Sequence, residues 1–254
     1  MMMAEATNHY FKHLGVSDGL SQVCIPSIYQ DELGAVWLGT TEGLNRYNGK
    51  DVRVFQPSES NHGLTNNEIN ELCGDKNGRM YIRSGNDLIK LDIYTEQFTC
   101  LRQKGVYGLF CKKDTLWVSC ADGIYYYTGQ GTELTFFARV QKGFVGRALY
   151  VDKETVWVVT RKYLVAISRE DPLRQEILLT LDKGNCILGD SSGNIWVGAW
   201  NGLYRVSPDR ETTAYVSHSG MGELSDNQVR CVESLYALWK FFKFFKPYFY
   251  SLSS

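Results

Sequence analysis

The chain has 254 residues, 44% of them hydrophobic, enough for a sizeable core. Its 27 basic and 28 acidic side chains leave a formal net charge of −1. That gives no long-range field to attract nucleic acid or an anionic membrane, so no nucleic-acid partner is expected.

The 24 Gly against 5 Pro, with 16 Tyr, 12 Phe and 6 Trp, suit many short strands joined by tight turns. In chain order, residues 1–19 are a lead-in. It lacks the basic start and apolar core of a signal peptide, although Ala4-Glu5-Ala6 resembles the small-x-small end of one. The expectation is a periplasmic protein if a leader is missing upstream, and a cytoplasmic one otherwise. No apolar run reaches the ~18 residues of a membrane span.

A unit then begins that recurs downstream at roughly forty-residue intervals. Its first copy, about 25–56, reads as strands at 28–30, 35–40, 44–48 and 52–56. Asp31 opens the first turn, and Gly34 accepts a backbone conformation that other residues resist. This is a four-stranded antiparallel meander. Further copies occupy about 67–101, 105–138, 145–180 and 184–217, with first strands expected at 68–73, 107–111, 148–151 and 187–189; those at 105–138 and 145–180 have a shortened first hairpin. A second signal, Leu-[Ser/Thr], three residues, [Ile/Val], two residues, aliphatic, precedes three of the units. It is met at Leu20/Ser21/Ile25/Ile28, Leu64/Thr65/Ile69/Leu72 and Leu224/Ser225/Val229/Val232.

One such sheet cannot bury both of its faces, whereas stacked neighbours can. The fold class is therefore all-β: a β-propeller spanning 20–232, incomplete, with five blades and the start of a sixth at 224–232. Trp37, Tyr81, Trp117, Trp157 and Trp196 hold equivalent places and are expected to fill the space between blades. After Val232 the pattern stops, and the aromatic, basic tail 233–254 is expected not to be a designed part of the fold, as an interrupted gene would produce. Sheet faces left uncovered there predict poor solubility or self-association.

The seven cysteines, at 24, 73, 100, 111, 120, 186 and 231, show no metal-binding spacing. Most sit in apolar strand patterns and are expected to be buried hydrophobes and not a disulfide framework. The four histidines are scattered. No GxSxG, HExxH or P-loop is present, and neither a metal nor a cofactor is expected.

The repeat Asp-x-x-Gly-x-x-Trp-[hydrophobic]-Gly-[Thr/Ala] followed by Gly-Leu, nearly whole at 31–47 and 190–205, resembles the two-component regulator propeller repeat. The opening Tyr10-Phe11-Lys12-His13-Leu14 to Asp18-Gly19-Leu20-Ser21 is similar to the start of the sensor region of hybrid two-component histidine kinases. That resemblance implies a periplasmic sensor of oligosaccharides, followed in full-length members by a membrane helix, a kinase, a receiver and DNA-binding domains. It also implies a homodimer in the full-length family and a role in switching on carbohydrate-utilisation genes through a phosphorelay. This chain carries no phosphoacceptor-histidine or ATP-binding motif, so no enzymatic activity is expected of it, and a membrane would be met only through missing C-terminal parts.

A saccharide site needs hydrogen-bonding side chains and an aromatic face. Candidates are Asn66 and Asn67 in the loop entering the second blade, Arg83, and Trp200 with Asn201. Loop hydrogen bonding, charge pairing and surface packing are the competing readings of these residues. A propeller enzyme (lyase or glycosidase) and a protein-binding scaffold remain the alternatives, because fold does not fix function.

Overall fold

The computed structural model describes residues 13–57, 63–216 and 228–229. The tail and most of the sixth unit lie outside the described residues. Twenty strands form five separate four-stranded antiparallel sheets, each ordered as a meander. Blade one comprises β1 (Ser27–Gln30), β2 (Val36–Thr40), β3 (Gly43–Tyr47) and β4 (Val52–Phe55). Blade two comprises β5 (Ile69–Gly74), β6 (Arg79–Ser84), β7 (Asp87–Asp92) and β8 (Gln97–Arg102). Blade three has β9 (Val106–Lys112), β10 (Thr115–Cys120), β11 (Gly123–Tyr127) and β12 (Thr135–Ala138). Blade four has β13 (Gly146–Val151), β14 (Thr155–Thr160), β15 (Tyr163–Ser168) and β16 (Gln175–Thr180). Blade five has β17 (Cys186–Gly189), β18 (Ile195–Ala199), β19 (Gly202–Val206) and β20 (Thr212–Tyr215). All twenty strands stand where the repeat predicts them, with ends displaced by a residue or two. Two 3-10 turns, Val16–Asp18 and Gln141–Gly143, were not predicted.

The first strands of successive blades are neighbours, in the order β1, β5, β9, β13, β17, which places them innermost. Each apolar core lies between two blades. Trp37, Leu44 and Phe55 of blade one pack with Ile69, Ile82 and Ile89 of blade two. Tyr81 and Leu88 meet Leu109 and Val118 of blade three. Trp117 and Ile124 meet Val156 and Val165 of blade four, and Trp157 and Leu164 meet Val197 and Val206 of blade five. Each sheet thus hides its faces on its neighbours. On the other side of blade one, the lead-in supplies Leu14, Leu20 and Ile25 against Val36 and Leu38.

The close approach of blades explains the Gly that follows the anchor Trp by two positions. A Cβ on Gly39 would stand 2.8 Å from Ile69 Cγ2 and 2.9 Å from the Ile69 carbonyl oxygen. At Gly198 it would stand 2.7 Å from Val229 Cγ1. Ile69 and Val229 hold the same place in the Leu-[Ser/Thr] signal, so Val229 seats on blade five as Ile69 seats on blade one. Its N–H donates to the Ala199 carbonyl at 2.9 Å.

The anchors Trp37 and Tyr81 are fully buried, Trp117 and Trp157 nearly so, and Trp196 half-buried. The cysteines depart in part from expectation. Cys120 is buried, Cys73, Cys100, Cys111 and Cys186 are half-buried, and Cys24 is exposed because it lies in the lead-in loop and not in a strand. Cys231 lies outside the described residues.

Candidate functional site

Antiparallel meanders put the loop entering each blade and its second turn at one end, and the first and third turns at the other. The two ends are chemically unlike. At the first-turn end the repeat Asp holds both the turn and the anchor. Asp31 Oδ1 accepts from the Ala35 N–H at 2.8 Å while its Oδ2 accepts from the Trp37 indole at 2.8 Å. Asp190 repeats this with the Asn194 N–H (2.9 Å) and the Trp196 indole (2.8 Å), and Asp152 with the Thr155 N–H (2.7 Å) and the Trp157 indole (2.6 Å). Gly34 and Gly193 complete the Asp31 and Asp190 turns at φ of +89° and +82°, and Gly78 the Asp75 turn of blade two at +85°, where a side chain would be strained.

In blade two Tyr81 replaces Trp. Asp75 instead pairs with Arg79, and the buried Tyr81 hydroxyl has no hydrogen-bond partner. Burial pushes that phenol far above its ordinary range. Burial alone would also raise Asp190, but the Trp196 indole, the Asn194 side chain and backbone N–H groups hold it below the usual carboxylate range.

All five predicted site residues fall at the opposite, entry-loop end. Asn66 and Asn67 are exposed. The Asn66 N–H donates to Ser84 Oγ (2.9 Å), Asn66 Oδ1 accepts from the Glu68 N–H (2.9 Å), and the Asn67 carbonyl accepts from the Gly43 N–H (2.8 Å). Arg83 is half-buried and reaches Glu71 and the Gly85 carbonyl, each at 3.3 Å. Burial, only partly opposed by Arg83 and the Leu109 N–H, pushes the Glu71 carboxyl up to about 6. In blade five Trp200 is 42% exposed, with Lys183 Nζ 3.4 Å from its ring centroid. The Asn201 Oδ1 accepts from the Asp182 N–H at 3.1 Å. The structure thus groups Asn66, Asn67 and Arg83 on blade two, and Trp200 and Asn201 on blade five.

The same end holds a depression that sequence reading missed. Its volume is about 300 Å³, and it is lined by Tyr107, Phe144, Arg147, Thr160 and Arg161 among others. Tyr107 is 38% exposed and, like Arg147, stands near the start of an innermost strand. Arg161 sits in the second turn of blade four. A second depression of about 290 Å³ adjoins it through Gly143 and Phe144 and adds Asp122 and Arg139. An exposed aromatic ring flanked by guanidinium donors is the combination that hydroxyl-rich or acidic sugars require.

A larger cavity of about 770 Å³ opens at the first-turn end, lined by Lys153, Arg169, Glu176 and Arg210. Three of its charged side chains are engaged: Arg210 pairs with Glu176, and Arg169 donates to the carbonyls of Asp152 and Lys153. Among the described residues, no group of three His, Cys, Asp or Glu could hold a metal ion. No described helix is long and apolar enough to cross a membrane.

Comparison with known proteins places this architecture. No family model matches the chain. Among solved structures it resembles the extracellular domain of the hybrid two component system BT3049 from B. thetaiotaomicron, with a TM-score of 0.71 and 22% identity, over 86% of this chain and 34% of that one. Virginiamycin B lyase from Staphylococcus aureus is similar at a TM-score of 0.59 and 12% identity, over 76% of this chain and 70% of that one. A curated relative, histidine kinase P4 of Formosa agariphila, is 36% identical over 55 residues, which is 22% of this chain and 4% of that protein.

The chain is a β-propeller built of the blades that its repeat predicts. Its BT3049 structural neighbour is the extracellular domain of a hybrid two component system, the kind of protein to which the two-component regulator propeller repeat points. The chain spans about a third of the solved BT3049 domain.

Proposed function

We propose that the chain is the ligand-sensing propeller of a hybrid two-component sensor histidine kinase. In this reading it works on the periplasmic side of the membrane and recognises an oligosaccharide at its entry-loop end. The observation that carries the proposal is the contrast between ends. Exposed Trp200, Asn66 and Asn67 and the Tyr107/Arg147/Arg161 depression stand at one end, on loops of several blades, while at the other end the turn carboxylates of Asp31, Asp152 and Asp190 are taken up by their own turns and anchor indoles. The likeness to the BT3049 extracellular domain supports the sensor role. Kinase activity, phosphorelay, control of carbohydrate-utilisation genes and homodimerisation would belong to the whole protein.

Calorimetric titration with a panel of neutral and acidic oligosaccharides tests this. Binding heat without turnover is expected for at least one of them, weakened several-fold by Tyr107→Ala or Trp200→Ala. Released product would instead favour an enzyme, a fold-level alternative of which the lyase neighbour is an example. No heat from any sugar would leave the entry-loop end to a protein partner.

A further inference from the structure

We propose that Cys73 and Cys111 form a disulfide tying the innermost strands of blades two and three together. β5 and β9 run side by side, and the register between them is fixed two residues before the cysteines, where the Leu109 N–H donates to Glu71 Oε2 at 3.1 Å. Side chains repeat every second residue on a strand, so positions 73 and 111 continue on the same side of their strands as 71 and 109. The two sulfurs stand 2.8 Å apart. A bond of about 2.05 Å needs them to close by less than about 1 Å. Beyond the pair, Asn77 donates its side-chain amide to Asp114, so the two blades stay in step on both sides of the sulfurs. Both cysteines are half-buried and pack against the same apolar core as Tyr81 and Leu109. A thiol pair inside that core has no polar role that the fold otherwise uses.

The step needs an oxidant, and a small-molecule disulfide such as oxidised glutathione suffices. One cysteine, as thiolate, attacks the glutathione disulfide and releases one glutathione thiol. The second attacks the mixed disulfide and releases the other. Two thiols are lost from the chain and two are gained by glutathione, so protons and electrons balance. Burial and the neighbouring sulfur push the Cys73 thiol well above its ordinary range, so any attack by Cys73 is slow at neutral pH and quickens as pH rises. The inference stands on the register of the two strands and does not depend on the ligand. An extracytoplasmic location would supply the oxidising surroundings in which such a bond persists.

The test is to incubate the purified full chain with oxidised glutathione, block free thiols, digest with trypsin without reduction and identify linked peptides by mass. The expected product joins residues 54–76 to 105–112 and disappears with dithiothreitol. It should be absent from Cys73→Ser and Cys111→Ser and retained in Cys24→Ser and Cys100→Ser. The oxidised wild-type chain should also melt at a higher temperature than the reduced one. Full alkylation of Cys73 and Cys111 after prolonged oxidation, or a link from either to a different cysteine, would overturn the assignment. The primary readout is on the wild-type chain, so a variant that fails to fold does not blunt it.

Discussion

The same sheets end in two different ways. At the first-turn end, one carboxylate oxygen of Asp31, Asp152 or Asp190 closes the turn and the other holds the anchor indole, so turn and inter-blade packing are joined in one residue. At the entry-loop end, Trp200, Tyr107, Arg147 and Arg161 are exposed and vary from blade to blade. A repeat can fix its fold at one end and leave the other free to change, because neighbouring sheets need only the shared anchor to pack.

Substitutions should divide along that line. Trp37→Ala empties the space between blades one and two and is expected to cost about 3–5 kcal/mol in urea denaturation. Trp200→Ala should leave stability within about 0.5 kcal/mol while weakening sugar binding. Asp31→Ala strands the Trp37 indole and the Ala35 N–H, at about 1–3 kcal/mol for each unpaired donor. Gly39→Ala pushes a methyl into Ile69 and should cost about 1–3 kcal/mol by overpacking. Tyr81→Phe removes a buried hydroxyl that has no partner and should be neutral or slightly stabilising.

Two carboxylates, Asp190 and Glu71, respond to pH with opposite sign. Asp190 is depressed in the folded chain, so its contribution is present above the ordinary aspartate value near ~3.9 and is lost as pH falls through the lower folded value. Glu71 is raised from 4.5 to about 6, so its contribution is fullest below 4.5 and declines as pH rises through about 6. Glu71→Gln should flatten the stability profile between those values. Asp190→Asn should flatten only the acid limb. Denaturant midpoints measured from acid to neutral pH check both.

Blade number, strand limits and the anchors were legible because they recur, and recurrence reveals what packing demands of every copy. The partner of the indole was not read, although a buried Trp N–H needs an acceptor and Asp stands six residues before the anchor in units one and five. Tyr107, Arg147 and Arg161 escaped notice because blades three and four depart from the repeat, and a function carried by unlike residues leaves no period to follow. Their signal was positional: Tyr107 opened a predicted strand while standing out of the anchor register. The pairing of Cys73 with Cys111 was also within reach, since two predicted first strands both end on Cys. Blade-to-blade register supplies that contact, and spacing rules for metals and disulfides within one segment do not.

The central claim, that one end holds the fold and the other takes the ligand, is tested most directly by amide hydrogen exchange with and without a saturating oligosaccharide. Slowed exchange is expected around residues 66–67, 83–86, 143–147, 160–161 and 200–201, with the Asp-turn segments 31–35, 152–155 and 190–194 unchanged. Protection confined to those Asp turns or to the cavity around Arg169 and Arg210 would contradict it.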